Sequence, residues 1–145
     1  MRILGIDFGR RTIGIAISDE NGLLARGLKA IPKNTWEREL PGLIREYQVK
    51  VLVVGLPKTM ANAESAETKM SIRFIEKLRQ MTDCRVVKWD ERLTSRLAER
   101  YLLSADLSRA KRKKVIDRLS AQIILQDYLD FVNQPGQPLK EAEEI

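Results

Sequence analysis

Apolar residues at the start of the chain follow the two-residue period of β-strands. Residues 3–6 predict a strand buried on both faces, and alternate isoleucines in residues 13–18 predict a second strand. The pair Asn21-Gly22 that follows is a strong hairpin signal, and a third strand is expected from about 23 to 30. The chain is therefore expected to open with a three-stranded antiparallel meander.

Helical and strand patterns alternate in the rest of the chain. Apolar spacing predicts helices over about 34–47, 63–81, 95–103 and 108–132, and continuous apolar runs predict strands at 51–55 and 85–89. Together with the meander, these elements predict an α/β fold: one mixed five-stranded sheet, with an antiparallel meander and two parallel strands, flanked by helices.

The sequence also predicts how the first helix begins and which side of the second helix is buried. Asn34 is expected to cap the first helix, with Glu37 three residues further on. The buried stripe of the second helix is expected to consist of Ala63, Ala66, Met70, Phe74, Leu78 and Met81.

Composition limits the possible chemistry. A chain of 145 residues with 43% hydrophobic content fits one domain, expected over 1–133, followed by an acidic tail at 134–145 that is expected to be disordered. A single cysteine excludes an internal disulfide, and the absence of histidine excludes the common zinc sites and histidine-based catalysis. No leader or membrane-spanning pattern is evident, so a cytoplasmic location is expected. Any catalysis must use carboxylates.

Asp7 lies where the first buried strand meets a glycine-punctuated turn. Gly5, Gly9 and Gly14 leave the backbone around it uncrowded, which permits close approach by a ligand or another segment. An acid at this position indicates a metal or phosphate site. The alternative is that Asp7 only caps a hairpin turn.

Further acids are expected near the same place. Asp117 shares a helix face with Ala121 and Ile124, so it should point toward the sheet, although an ion pair with a nearby arginine would also explain an inward acid. Asp90 and Glu91 follow the last predicted strand, and open sheets collect ligand sites at the carboxyl ends of parallel strands. Three separate segments are therefore expected to direct carboxylates to one point.

Clustered carboxylates favour a bound cation. Two unit charges about 4 Å apart repel by roughly 4 kcal/mol at an effective dielectric near 20. Ligation by oxygen alone selects Mg²⁺ or Mn²⁺ over zinc, and a pair of such ions can promote phosphodiester hydrolysis without histidine.

The charge of the chain suits a polyanionic partner. The net charge is +6 and the pI is about 9.6, although proteins that bind no nucleic acid can share these values. Five of the six residues 109–114 are basic, at a helix start where the dipole does not favour them, so phosphate contact is one explanation and a solvated helix face the other. The candidate contacts are Arg10, Arg11, Lys58, Arg92, Arg96, Arg109, Lys111, Arg112, Lys113 and Lys114.

Four segments in order resemble the YqgF/RuvX family. They are 5–16 (GIDFGRRTIGIA), 53–57 (VVGLP), 90–95 (DERLTS) and 113–121 (KKVIDRLSA), and the resemblance spans roughly 1–132. It implies a ribonuclease H-like fold related to Holliday junction resolvases. It also implies nuclease activity in the 5′-end maturation of pre-16S ribosomal RNA.

The resemblance also implies roles for particular residues. Asp7, Glu91 and Asp117 match the family's catalytic acids and metal ligands, with Asp90 as the adjacent alternative and Mg²⁺ or Mn²⁺ as cofactor. The implied partners are structured RNA and branched DNA, bound by a monomer or a homodimer. The chain departs from the family pattern at 58–64, which lacks the usual glycine.

Two other functions are consistent with the sequence. The turn after Asp7 is similar to the first phosphate loop of actin-like and sugar-kinase ATPases, but those enzymes bind nucleotide between two such domains. A non-catalytic nucleic-acid binder that keeps the fold and the basic face is the second alternative.

Overall fold

The computed structural model describes residues 2–9, 11–56, 66–90 and 109–134; within these ranges the side chains of Glu67, Asp90 and residues 109–117 are outside the description. The strands and helices of this part are β1 (Arg2–Phe8), β2 (Thr12–Ser18), β3 (Ala25–Pro32), α1 (Trp36–Glu46), β4 (Val49–Leu56), α2 (Ala66–Met81), β5 (Arg85–Asp90) and α3 (Arg109–Val132). None of these helices is long and apolar enough to cross a bilayer.

The five strands form one sheet in the order β3-β2-β1-β4-β5. The β2 strand pairs antiparallel with β1 and with β3, whereas β1, β4 and β5 run parallel. A parallel connection requires a crossover, and α1 and α2 supply the crossovers into β4 and β5. The predicted meander and the two predicted parallel strands are confirmed.

The hairpin between β2 and β3 is longer than its Asn-Gly pair suggests. The Asp19 carboxylate accepts the N–H groups of Leu23 and Leu24 at 2.8 and 3.2 Å, and these bonds lower the pKa of Asp19. Gly22 takes a positive φ of 69° within this turn. Because the turn uses these residues, β3 begins at Ala25 rather than near 23.

Each face of the sheet carries its own core. Leu4 and Ile6 of β1 belong to the core under α1 and α2, whereas Ile3 belongs to the core under α3. The alternation along β1 is the two-residue period of a strand covered on both faces. It determines which helices each residue of β1 can contact.

Two of the helix predictions are wrong in detail. The residue before α1 is Thr35, not Asn34; its hydroxyl donates to the Glu39 carboxylate and accepts no N–H group of the first turn. In α2, Met70 and Met81 are 43% and 41% exposed and Ala66 is also exposed, because the buried stripe runs through Thr68, Ser71, Phe74, Ile75 and Leu78. Ala63, the helix predicted at 95–103 and the tail after 134 lie outside the described residues.

Ser120 of α3 offers a test of the packing. Ser120 is 1% exposed, and its hydroxyl has no hydrogen-bond partner within the described structure. Because a buried unpaired hydroxyl is unfavourable, Ser120→Ala is expected to raise the free energy of unfolding by about 1 kcal/mol, measured as a higher urea midpoint.

The matched control for Ser120 is Ser18, which is equally buried. Its Oγ accepts the N–H of Ile3 and donates to the carbonyl of Asp19, both at 2.9 Å. Ser18→Ala should lower the midpoint. A lower midpoint in both variants would contradict the assignment of an unpaired hydroxyl to Ser120.

Candidate active site

Asp7 lies near the end of β1, the middle strand of the sheet, and glycine flanks it on both neighbouring strands. Its register partner is Gly14 on β2 and Gly55 on β4. Cross-strand partners project from the same face of a sheet, so neither β2 nor β4 places a side chain directly beside the half-buried Asp7 carboxylate.

The helix that shares the face of Asp7 is α3. Strand alternation places Asp7 with Ile3 and Gly5, on the side of the sheet that α3 covers. β1 and α3 are in close contact at Gly5, where an added Cβ would lie 2.9 Å from the carbonyl oxygen of Ala121 and 2.7 Å from Cβ of Leu125. The missing side chain of Gly5 therefore allows α3 to lie directly on the strand that carries Asp7.

Hydrogen bonds to β3 fix the direction in which α3 runs. The side-chain oxygen of Gln126 accepts the N–H of Ala25 at 2.8 Å, and that of Gln122 accepts the N–H of Gly27 at 3.1 Å. Followed toward the N-terminus of α3, the helix therefore passes from the beginning of β3 toward the end of β3. Since β3 and β1 are both antiparallel to β2, the same direction leads along β1 toward Asp7.

The position of Asp117 along α3 corresponds to the position of Asp7 along β1. It precedes Ala121 by four residues, which is about 6 Å along a helix. Asp7 follows Gly5 by two residues, about 6.6 Å along a strand. The backbone positions of Asp7 and Asp117 are thus offset from the Gly5–Ala121 contact by similar distances in the same direction.

The remaining candidate acids are less fully described. Asp90 is the last residue of β5 and pairs with Leu56, and Glu91 lies outside the described residues. Among the side chains that the structure describes, no three acids or cysteines form a group that could hold a metal. The side chains of Asp90 and Asp117 are outside that set, so the predicted carboxylate cluster stays a prediction.

Some of the candidate basic residues lie at the Asp7 end of the sheet, and the others are outside the described residues. Arg11 is exposed in the turn between β1 and β2, at the same end of the sheet as Asp7. Arg109 and the run 111–114 belong to the first turns of α3, whose N-terminal part extends toward Asp7. The candidates outside the described residues are Arg10, Lys58, Arg92 and Arg96.

A further basic residue at this end, Lys33, is not among the candidates that the sequence indicates. It follows β3 directly, and its ammonium lies 4.1 Å from the centre of the Phe8 ring. Burial lowers the pKa of Lys33. An isolated lysine after a proline carries no local signal, and only the register of β1, β2 and β3 brings it close to Phe8.

Two solved structures share the fold. Thermus thermophilus RuvC in complex with Holliday junction substrate has a TM-score of 0.59 at 16% identity, with 96% of this chain and 99% of that chain covered. A second Thermus thermophilus RuvC structure has a TM-score of 0.52 at 10% identity, with coverage of 96% and 100%. The ribonuclease H-like fold that the sequence implies is confirmed by this similarity, which at such identities concerns the fold alone.

Sequence relatives cover nearly the whole chain. Proteins named "Putative pre-16S rRNA nuclease" from Bacillus cytotoxicus and Geobacillus kaustophilus are 48% identical over 136 residues and 47% identical over 135 residues. Each alignment covers 90% of this chain and 98% of the relative. A family described as "RuvX: Holliday junction resolvase" matches residues 1–131. On this sequence match and on the fold, the chain belongs to the RuvX family.

Proposed function

We propose that this protein is a divalent-metal-dependent endonuclease that acts in the cytoplasm on the 5′ end of pre-16S ribosomal RNA. The observation that carries the proposal is the position of Asp7 between Gly14 and Gly55, below the helix that bears Asp117. The names of the relatives support the choice of substrate.

The proposed ligands of the metal are Asp7, Asp117 and Glu91. The register partners Gly14 and Gly55 place no side chain beside Asp7, and carboxylate oxygens are the donors that Mg²⁺ and Mn²⁺ prefer. When bound, such ions activate water and stabilise the attacking and leaving oxygens of a phosphodiester.

Strand alternation favours Glu91 over Asp90 as the third ligand. Val87 and Trp89 belong to the core under α3. By the same alternation, an extended backbone after Asp90 would place residue 91 on this side of the sheet. Asp90 pairs in register with Leu56, which belongs to the core under α1 and α2.

The protein's own residues would hold and orient the substrate. The run Arg109 to Lys114 begins the helix of Asp117, so it would present positive charge next to the carboxylates and contact backbone phosphates. Exposed Arg11 would extend this field along the turn that follows Asp7. The paired strands and the close contact at Gly5 would keep the acids in place without substrate.

Cleavage of branched DNA is the second candidate function, because the matching family is described as a Holliday junction resolvase. A resolvase cuts two equivalent strands and needs a symmetric dimer, whereas one RNA end imposes no such symmetry. The oligomeric state in solution therefore bears on the choice between the two substrates.

The test compares two substrates with the purified full chain. One is a 16S precursor RNA that keeps its 5′ extension, and the other is a four-way DNA junction. We expect the RNA to be cut with Mg²⁺ or Mn²⁺ and to stay intact with EDTA. Metal-dependent cleavage of the junction alone would favour the resolvase, and cleavage of neither would overturn the nuclease proposal in favour of a non-catalytic binder.

A further inference from the structure

The main chain of Lys33 is fixed at the end of the sheet that carries Asp7. Its N–H donates to the carbonyl oxygen of Arg11 at 3.0 Å, and Arg11 belongs to the turn that follows β1. Just before it, Pro32 pairs with Thr12 at the end of the ladder between β2 and β3. Lys33 therefore starts from a backbone position held by two neighbouring segments.

The side chain of Lys33 is positioned by an aromatic stack. Phe8 stacks on Phe74 with ring centres 4.3 Å apart, so the ammonium of Lys33, 4.1 Å from the Phe8 centre, occupies the opposite ring face. The Phe74 ring in turn meets Trp36 edge-on at 4.7 Å. Because this stack belongs to the core under α1 and α2, the ring that holds the ammonium has a fixed place.

The charge of Lys33 has no carboxylate partner among the described residues. Two other lysines in the same part of the chain do have one: Lys29 lies 3.8 Å from Glu39, and Lys77 lies 3.0 Å from Glu37. Burial lowers the pKa of Lys33, so its surroundings disfavour the charged form. A cation–π contact leaves the ammonium without a negative counter-charge, and an anionic ligand would supply one.

We propose that Lys33 binds a backbone phosphate of the nucleic acid, next to the phosphate that is cleaved. The proposal rests on the proposed nuclease function. Asp7 and Phe8 are consecutive in β1, so their side chains leave opposite faces of the sheet. A strand whose cleaved phosphate lies near Asp7 and whose neighbouring phosphate contacts the Lys33 ammonium must cross the end of β1, and Lys33 sets the path of the backbone on the α1 and α2 side.

The test measures binding of fluorescent 16S precursor RNA in EDTA, which prevents metal-dependent cleavage, over a range of KCl concentrations. Lys33→Gln should weaken binding about fivefold and lower the slope of log K against log salt by about 0.7, the value for one phosphate contact on a single strand. Lys33→Arg keeps the charge and should keep most of the slope.

The matched control is Lys50→Gln, which makes the same charge change at an exposed position. Lys50 lies near the start of β4, at the end of the sheet opposite Asp7, so this variant should keep the wild-type slope. A purely structural Lys33 would lower the unfolding midpoint and leave the slope unchanged.

The possible failures point to different conclusions. If the wild type binds RNA and Lys33→Gln has an unchanged slope, the assignment of Lys33 is overturned and the nuclease proposal stands. If Lys50→Gln loses as much slope as Lys33→Gln, only net charge matters and the assignment is again overturned. If the wild type does not bind RNA, the choice of RNA as substrate fails together with the Lys33 proposal.

Discussion

Replacing Asp7 by asparagine is expected to abolish cleavage while the fold and much of the nucleic-acid binding persist. The amide is almost the same size as the carboxylate, and the partners of Asp7 on both adjacent strands are glycines, so the side chain fits. The variant removes the negative charge that would hold the cation. A metal ion contributes several kcal/mol of transition-state stabilisation, so its loss lowers the rate by on the order of 10³-fold or more.

Single-turnover cleavage of the precursor RNA measures this loss, with circular dichroism and RNA binding as checks on the fold. The matched control is Asp83→Asn, an exposed aspartate between α2 and β5 at the opposite end of the sheet. It should cleave at the wild-type rate. Undiminished cleavage by Asp7→Asn alone would refute the proposed chemistry. Undiminished cleavage by both Asp7→Asn and Asp117→Asn would instead indicate a contaminating nuclease.

The sheet could be predicted from sequence because its signals are local. The isoleucines of β2 alternate strictly, and the apolar run of β4 is typical of a parallel strand buried on both faces. Alternation also predicts which side of the strand each residue occupies. For this reason the position of Asp7 at the end of a buried strand is evident from the sequence pattern alone.

The details that failed depend on tertiary contacts. Asn34 and Thr35 are both suitable caps, and the chain entering from β3 decides which of them precedes α1. Met70 lies one position from the true buried stripe of α2, which includes Ser71. A polar residue on the buried side misleads a prediction that assigns the face by hydrophobicity alone.

The surroundings of Asp7 could be predicted only in part. Gly14 is close to Asp7 in the sequence and belongs to the predicted second strand, but Gly55 becomes a neighbour of Asp7 only through the register of β1 and β4. The approach of Lys33 to Phe8 depends in the same way on the pairing of β3 with β2. Cross-strand register depends on all the paired strands together, so a local pattern does not contain it.

Replacing Gly5 by alanine is expected to impair stability and catalysis together. The new methyl group would lie 2.9 Å from the carbonyl oxygen of Ala121 and 2.7 Å from Cβ of Leu125. A side-chain rotation relieves neither contact. The Ala121 oxygen is a backbone atom, and the position of Leu125 Cβ is fixed by the backbone of Leu125. The helix α3 must therefore move away from β1, at a cost of about 1–3 kcal/mol in the free energy of unfolding.

The same movement would separate Asp117 from Asp7, because α3 carries the one and β1 carries the other. A misplacement near 1 Å can lower a rate about 10²-fold, so the cleavage rate should fall even where the variant remains folded. Urea unfolding, and single-turnover cleavage without denaturant well below the melting temperature, separate the two effects. The control is Gly42→Ala in α1, where an added Cβ meets nothing within 4 Å and alanine should stabilise the helix by about 0.5–1 kcal/mol. If Gly5→Ala kept both the wild-type midpoint and the wild-type rate, the contact between β1 and α3 could not be what holds the two acids together.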